Sequence, residues 1–211
     1  MDMENYWDDR FSGEGKIWGD TPSRTAVYAR DLFINDDVKS VLVPGAGYGR
    51  NASLFYNSGF DVTCIEISKE AINMGKEASP DLKFIHGSVL DMPCYGVQYD
   101  AIYCFNVLHL LYRDDRMAFI RKCLDTLNDG GSVFFTVFSE KEGSYGKGAE
   151  IEPDTFESKP GRPVHYFTDD DLRSHFKDFR VLETGVMEDH EDHGEEGPHT
   201  HILRYIYAKR S

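Results

Sequence analysis

The segment that most constrains this chain is VLVPGAGYGR, residues Val41–Arg50, in which three glycines at alternate positions follow a short apolar run. Glycine has no Cβ, so a turn of this kind lets the backbone bend sharply and approach a ligand closely. Such turns between a strand and a helix are typical of nucleotide-binding α/β proteins. The dinucleotide fingerprint G-x-G-x-x-G is one residue longer than the spacing of Gly45, Gly47 and Gly49. A nicotinamide-dependent oxidoreductase is therefore disfavoured.

Strand-like and helix-like segments alternate on both sides of this turn. Apolar and β-branched runs predict strands at 39–43, 61–67, 82–86, 99–108 and 132–138. Helices are predicted at 51–58, after Ser68 as N-cap, and at 113–127, where the Asn-Asp-Gly-Gly of 128–131 predicts a turn. Strands that alternate with helices form a parallel sheet, because each parallel connection needs a crossover. The pattern predicts an α/β fold with a doubly wound sheet and helices on both faces.

No stretch rich in Pro, Gly or Ser divides the chain, so a single domain over residues 1–211 is expected. Within it, residues 1–37 form an N-terminal arm and lid helix, 38–138 the strand–helix core, and 139–211 a more irregular remainder.

The remainder begins with residues 139–163, which are rich in Gly, Pro and charge and are predicted to form a long loop. A capped helix follows at 168–176. Two final strands are predicted at 180–186 and 201–208, joined by an acidic, His-rich hairpin.

The net charge of −14, from 37 acidic and 23 basic residues, indicates the kind of partner. Nucleic-acid binding depends on neutralising phosphates with Lys and Arg, so no nucleic acid is expected, and an anionic membrane is disfavoured on the same ground. The chain has no apolar run of transmembrane length and no signal-peptide pattern at its start, so a cytoplasmic protein is expected. A small-molecule substrate is the expected partner. The sequence does not fix the oligomeric state.

Five segments, in order, resemble the motifs of class I S-adenosylmethionine (SAM) dependent methyltransferases. They are VLVPGAGYGRNASLF, VTCIEIS, HGSVLDMP, YDAIYCFNVLHLL and LNDGGSVFFTVF, within residues 38–138. The lead-in YWDDRFSGEGKIWGDTPS is similar to that of the thiopurine methyltransferase-like and tellurite-resistance methyltransferases. The resemblance implies a Rossmann-like sheet of seven strands with the last one, at 201–208, antiparallel. It also implies SAM as cofactor and S-adenosylhomocysteine (SAH) as product.

The same resemblance implies the cofactor site. Glu66, at the end of the second strand, would accept hydrogen bonds from the ribose hydroxyls, and Arg10 would pair with the methionine carboxylate. The full set implied for cofactor binding is Trp7, Arg10, Trp18, Gly45, Gly47, Gly49, Glu66, Ile67, Ser88, Val89, Phe105 and Asn106. Two positions depart from the common pattern, since many members have an acid at the position of Val43 and an Asp at that of Ser88. The contact to the SAM amino group is therefore expected from another part of the chain, and the N-terminal arm is the candidate.

The catalytic residue is unknown, because methyl transfer requires alignment and needs a general base only for some acceptors. Candidates on the acceptor side are Asn106, His109, Tyr145 and His201. His109 is equally explained as a structural histidine, and Tyr145 as an aromatic anchor. FNVL at 105–108 takes the place of the NPPY motif of relatives that methylate amino groups and nucleic acids, which disfavours those acceptors.

Four histidines in the last hairpin, His190, His193, His199 and His201, offer imidazole ligands for zinc or nickel. Their spacing matches no zinc motif and a charged hairpin is usually solvated, so no metal is the favoured interpretation. Two alternatives stay open beside a small-molecule methyltransferase. One is a non-catalytic protein that binds SAM or metal through this hairpin, and the other is a protein methyltransferase.

Overall fold

The structure is a computed structural model that describes residues 3–93, 96–192 and 198–211, with the backbone alone described at 191, 192, 198 and 199. Its main feature is a seven-stranded sheet. The strands of that sheet are β1 (Ser40–Pro44), β2 (Asp61–Glu66), β3 (Lys83–His86), β4 (Tyr99–Phe105), β5 (Leu127–Phe138), β9 (Arg180–Asp192) and β10 (Pro198–Lys209). They lie in the order β3-β2-β1-β4-β5-β10-β9.

Strands β1 to β5 are mutually parallel, whereas β10 pairs antiparallel with both β5 and β9. The registers include Val43 opposite Cys64 and Leu203 opposite Phe138. The predicted doubly wound sheet of seven strands with an antiparallel last strand is confirmed.

In the described part of the chain, six α-helices connect or flank these strands: α1 (Met3–Glu14), α2 (Arg24–Asn35), α3 (Arg50–Asn57), α4 (Lys69–Ala78), α5 (Arg113–Thr126) and α6 (Asp169–His175). A 3₁₀ helix spans Leu108–Leu110. Ser68 and Thr168 cap α4 and α6 by accepting backbone N–H groups at N3, as their position before each helix predicted. Among the described residues, no helix is both long enough and apolar enough to cross a lipid bilayer.

Both faces of the sheet are buried under helices. On β1, Val41 and Val43 pack on one side with residues of α2 and α3, and Leu42 packs on the other with residues of α5 and α6. Alternate residues of a strand point to opposite faces, so a continuous apolar run is the signature of a strand buried on both sides. A smaller cluster places α1 against α4, with Phe11 at its centre.

The structure corrects the prediction of a long loop over 139–163. This segment contains a second sheet of three antiparallel strands, β6 (Ala149–Glu152), β7 (Thr155–Lys159) and β8 (Arg162–His165). Pro153, Pro160 and Gly161 lie in the tight turns between these strands, whereas Gly143, Gly146 and Gly148 precede β6 and Pro163 lies within β8. Asp154 and Gly161 hold the positive φ values of 55° and 72° that such turns require.

Residues 128–131, predicted as a turn, lie within β5, which begins at Leu127 directly after α5. The register with β4 moves from Tyr99 opposite Leu127 to Ala101 opposite Ser132, so one residue of β4 lies opposite the four Asn-Asp-Gly-Gly residues and β5 has three extra residues there. The final strands are also longer than predicted, because the acidic segment between them continues the β9–β10 pairing up to Asp192 and from Pro198.

Candidate active site

A cavity of about 350 Å³ opens where β1, β2 and β4 reach their carboxyl ends. This edge is where a doubly wound sheet places its ligands. Eleven of the twelve residues predicted to bind cofactor line the cavity: Trp7, Arg10, Trp18, Gly45, Gly47, Glu66, Ile67, Ser88, Val89, Phe105 and Asn106. Of the four acceptor-side candidates, Asn106, His109 and His201 also line it. The topology therefore gathers residues from distant parts of the chain around one enclosed space.

The glycine turn at the end of β1 needs glycine for different reasons at each position. Gly45 has a φ of 67°, and a Cβ there would lie 2.3 Å from Cγ2 of Val107. Gly47 has a φ of 57° and faces the cavity, where a Cβ would meet only aromatic carbons at 3.9 Å. Gly49 does not line the cavity, which differs from the predicted role. It caps the start of α3 with a φ of 84° and packs against Leu82 and Phe84.

The carboxylate of Glu66 is fixed in the cavity wall by two backbone donors. Its Oε2 accepts the N–H of Gly47 at 2.7 Å, and its Oε1 accepts the N–H of Ser68 at 2.9 Å. The side chain is buried, with 5% of its residue surface exposed. Burial raises the pKa of Glu66 while the backbone hydrogen bonds oppose this rise. A carboxylate held in this way keeps a single orientation toward a ligand.

The N-terminal residues supply an aromatic wall. Trp7 and Trp18 lie with ring centroids 6.3 Å apart, and the guanidinium of Arg10 lies 5.7 Å and 5.9 Å from those two centroids. Arg10 also contacts Glu14 at 3.3 Å. The phenolic oxygen of Tyr48 accepts the backbone N–H of Trp18 at 3.0 Å, which ties the segment between α1 and α2 to the glycine turn.

Ser88 and Asn106 contribute polar groups to the wall from the ends of β3 and β4. The hydroxyl of Ser88 accepts the N–H of Leu90 at 3.1 Å and so holds the turn after β3. Asn106 has a φ of 55°, and its Oδ1 accepts the hydroxyl of Thr136 at 3.0 Å. This bond fixes the carboxamide and leaves its Nδ2 as a donor group on a residue that lines the cavity.

The imidazoles of His109 and His201, which both stack on the ring of Phe138, form a further part of the wall. His109, in the 3₁₀ helix, is 2% exposed, and its Nδ1 has no hydrogen-bond partner among the described residues. Burial, reinforced by the charges of His201 and His165, lowers the pKa of His109 to about 3, so its imidazole is neutral near pH 7. His201, on β10, has its Nδ1 3.2 Å from Oε1 of Glu142.

Three results differ from the sequence-based view of this wall. Arg50 was not among the predicted site residues, yet it lines the cavity and donates through Nη1 to the carbonyl oxygens of Trp18 and Thr21. Its position directly after Gly49 is the sequence signal that could have indicated this. Arg162 lines the cavity from β8, a strand that the loop prediction concealed. Tyr145 does not line the cavity. Its hydroxyl donates to Asp154 at 2.7 Å on the exterior of the three-stranded sheet.

The His-rich hairpin does not gather its described imidazoles. His190 pairs with Thr200 and His201 with Asp189, so His190 and His201 lie at adjacent register positions and point to opposite faces of the sheet. The Nδ1 of His190 is engaged with the hydroxyl of Thr200 at 2.8 Å. His193 lies outside the described residues, and so does the side chain of His199.

A separate group with metal-ligand chemistry lies behind the cavity. His165, Asp171 and His175 have ligand atoms within 4.8 Å of one another. Each is already hydrogen-bonded, because Asp171 bridges the two rings and the Nε of Arg116 donates to Nε2 of His175 at 3.3 Å. Burial opposes ionisation of Asp171, yet hydrogen bonds from both histidines hold its pKa well below the usual range. The guanidinium in this group makes it a structural network that joins β8 to α5 and α6.

Known proteins resemble this chain in both sequence and fold. Residues 41–131 match the family described as "Methyltransferase domain". A ubiquinone biosynthesis O-methyltransferase from Vibrio vulnificus (strain YJ016) is 29% identical over 112 residues, which cover 51% of this chain and 47% of that protein. The chain thus spans about half the length of the curated relatives that it matches.

Two solved structures show the likeness of fold. Magnesium protoporphyrin IX methyltransferase (ChlM) from Synechocystis PCC 6803, with bound SAH, has a TM-score of 0.72 at 15% identity over 99% of this chain and 98% of that one. TehB from Haemophilus influenzae has a TM-score of 0.67 at 19% identity over 97% of this chain and 67% of that one. The family resemblance predicted from the five sequence segments is confirmed.

Proposed function

We propose that this chain, which has the class I SAM-dependent methyltransferase fold and a methyltransferase domain at residues 41–131, transfers a methyl group from SAM to a small-molecule acceptor. The observation that carries the proposal is the placement of Glu66. Its buried carboxylate lies at the end of β2, oriented by the N–H groups of Gly47 and Ser68, on the wall of the cavity beside the glycine turn. A carboxylate in this position is an acceptor for a pair of vicinal hydroxyls such as those of a ribose.

The rest of the cavity has the chemistry that an adenosyl sulfonium compound requires. Gly47 leaves the wall open at the turn, where a side chain would project into the ligand space. Trp7 and Trp18 present aromatic faces, which attract cations such as a sulfonium. The Arg10 guanidinium beside these rings is a partner for the methionine carboxylate, and Ile67 and Val89 offer apolar surface to the adenine. Bound SAM supplies an electrophilic methyl group.

The chain's own residues would position the acceptor. Asn106, with its carboxamide oriented by Thr136, offers an N–H donor, and His109 offers a neutral imidazole. An imidazole with a pKa of about 3 is a weak base, so the role proposed for His109 is a hydrogen bond to the acceptor and not removal of its proton. Helix α1 and strand β8 form wall on the outer side of the cavity, and so limit the access of water to the reacting groups.

A small acceptor suits the size and enclosure of the cavity, which lies in the range usual for small-molecule sites. The Vibrio relative is named for the methylation of oxygen in a biosynthetic pathway, which supports an organic acceptor with a hydroxyl group.

Calorimetric titration with SAM and SAH, with NADH as the negative control, tests the cofactor. We expect both adenosyl ligands to bind and NADH not to bind. Glu66→Gln should weaken binding about 10- to 100-fold, because a hydrogen bond to a charged group contributes about 1.5–3 kcal/mol. Glu77→Gln removes a carboxylate from the exposed surface of α4 and serves as the matched control. Absence of SAH binding to the unaltered protein contradicts the proposed function.

A further inference from the structure

Part of the cavity wall has no role in the proposed cofactor site, and its residues come from the second sheet and the elements packed against it. Strand β8 packs against the 3₁₀ helix Leu108–Leu110, and both contribute to the wall together with His201. Most of the side chains in this region are apolar or uncharged: Leu110, Leu111, Ser158, Pro163 and Val164, with the neutral ring of His109. A ligand with an apolar body fits such a surface.

The sign of the charge inside the cavity is opposite to that of the chain. The described lining contains three arginines, Arg10, Arg50 and Arg162, and a single carboxylate, Glu66, in a chain whose net charge is −14. Glu66 accepts two backbone N–H groups, and among the described residues it forms no ion pair with these arginines. A concave site with charge of one sign attracts ligands of the opposite sign, more so inside a protein whose exterior repels them.

Arg162 differs from the other two arginines in what its guanidinium contacts. Arg10 is close to Glu14, and Arg50 donates to two carbonyl oxygens. Among the described residues, Arg162 has no carboxylate or carbonyl partner. Its guanidinium lies 4.2 Å from the centre of the Tyr6 ring. The contact with the Tyr6 ring holds the guanidinium in a half-buried position at the cavity wall, and no described residue accepts its N–H groups.

We propose that the methyl acceptor is a carboxylic acid with an apolar body, and that Arg162 binds its carboxylate. This inference rests on the proposed function and names its substrate class. A planar guanidinium with free donors matches a carboxylate through two parallel hydrogen bonds, which gives both strength and orientation. When the carboxylate of the acceptor is bound to Arg162 on β8, the rest of the acceptor lies along the 3₁₀ helix. Its opposite end then faces Asn106 and His109. Arg162 is thus the specificity-determining residue of the acceptor site.

A fluorescence titration tests the inference, since the two tryptophans of the chain, Trp7 and Trp18, both line the cavity. The probes are 3-phenylpropanoate and the uncharged 3-phenylpropanamide, which have the same shape, titrated with and without saturating SAH. We expect the affinity for the acid to be at least about tenfold higher than the affinity for the amide. Arg162→Gln should remove this preference, and Arg162→Lys should keep part of it, because Lys retains the charge without the fork geometry.

Lys159→Gln is the matched control, since it removes one positive charge from an exposed position on β7 of the same small sheet. It should leave the preference for the acid unchanged. Equal affinities of acid and amide for the unaltered protein overturn the inference, as does a preference that survives in Arg162→Gln.

The affinity for SAH is measured in the same variants. An unchanged affinity in Arg162→Gln supports the assignment to the acceptor, whereas a tenfold loss assigns Arg162 to the cofactor's carboxylate and overturns it. Failure of the unaltered protein to bind SAH refutes the proposed function separately, and the titrations without SAH then still decide whether the cavity selects carboxylates.

Discussion

The imidazole of His109 stacks on the phenyl ring of Phe138, with centroids 4.1 Å apart and planes inclined by 15°. His201 stacks on the same ring at 4.9 Å. Two imidazoles from the 3₁₀ helix and from β10 are thus joined through one aromatic side chain at the end of β5. Burial keeps His109 neutral, and a positive charge on His201 further opposes protonation of His109.

The depressed pKa of His109 makes stability depend on pH. Its ordinary value is 6.5 and its value in the folded chain is about 3, so between these pH values the unfolded chain binds a proton that the folded chain does not. Considering His109 alone, the free energy of unfolding is constant above pH 6.5. It then falls as the pH drops toward 3, by about 1.4 kcal/mol per pH unit for one proton. Urea unfolding between neutral pH and about pH 4 should give a shallower pH dependence for His109→Gln than for the unaltered chain. His190→Gln, at an exposed position, should leave the slope unchanged, and identical slopes for all three proteins would refute the prediction.

Asn106 combines a strained backbone with a polar group at the cavity, and two substitutions separate these roles. Asn106→Ala keeps the φ of 55° with a residue that disfavours it, whereas Asn106→Gly accepts this angle. We expect the alanine variant to be about 1 kcal/mol less stable than the glycine variant in urea denaturation. Both should lose methyl transfer, measured as SAH formation, if the carboxamide positions the acceptor. Full turnover in the glycine variant would restrict Asn106 to a structural role.

Gly45→Ala should be strongly destabilising because of a clash with one neighbour. A Cβ at Gly45 would lie 2.3 Å from Cγ2 of Val107, whereas Gly19, with a similar φ of 64°, has no atom within 4 Å. Gly19→Ala therefore reports the backbone strain alone, and Gly45→Ala should cost about 1–3 kcal/mol more. Adding Val107→Ala to the Gly45→Ala variant removes the clashing methyl group and should restore part of the lost midpoint of urea denaturation. A double variant as unstable as the single one would contradict this explanation.

Asp171 is expected to hold the second sheet onto the helical layer. Its carboxylate bridges His165 of β8 and His175 of α6, and its pKa lies below the usual range. Asp171→Asn should reduce the free energy of unfolding by about 1–3 kcal/mol. This is less than the cost of removing one partner from a fully buried ion pair, because the carboxylate of Asp171 is partly exposed. The matched variant Asp170→Asn changes an exposed carboxylate of the same helix and should have little effect. Similar urea midpoints for the two variants would exclude the bridging role.

Features with a local cause could be predicted from the sequence. Ser68 and Thr168 are followed by helices and cap them, because the signal for a cap lies within four residues. The strand that ends at Glu66 has its carboxylate at the cavity for a similar reason, since parallel strands end at one edge.

Features that depend on distant partners could not be predicted in this way. The pattern of α5 places charged residues outside, yet Arg116 is 2% exposed because its partners, Glu152 and His175, come from segments far along the chain. The turns of the second sheet resemble loop sequence, so the strand that carries Arg162 was not expected. That Gly49 lies outside the cavity could not be predicted either, because its neighbours Leu82 and Phe84 belong to the next strand–helix unit.

The cavity wall reaches from Met3 to His201 along the chain. Its formation therefore requires almost the whole fold, and no partly folded state that lacks either end can bind the same ligand with the same affinity. A ligand that binds only the native state shifts the unfolding equilibrium by RT ln(1 + [L]/Kd). Occupancy of this cavity is thus linked to the global opening reaction, so the slowest-exchanging amides of the central sheet will report ligand binding as faithfully as the residues that touch the ligand.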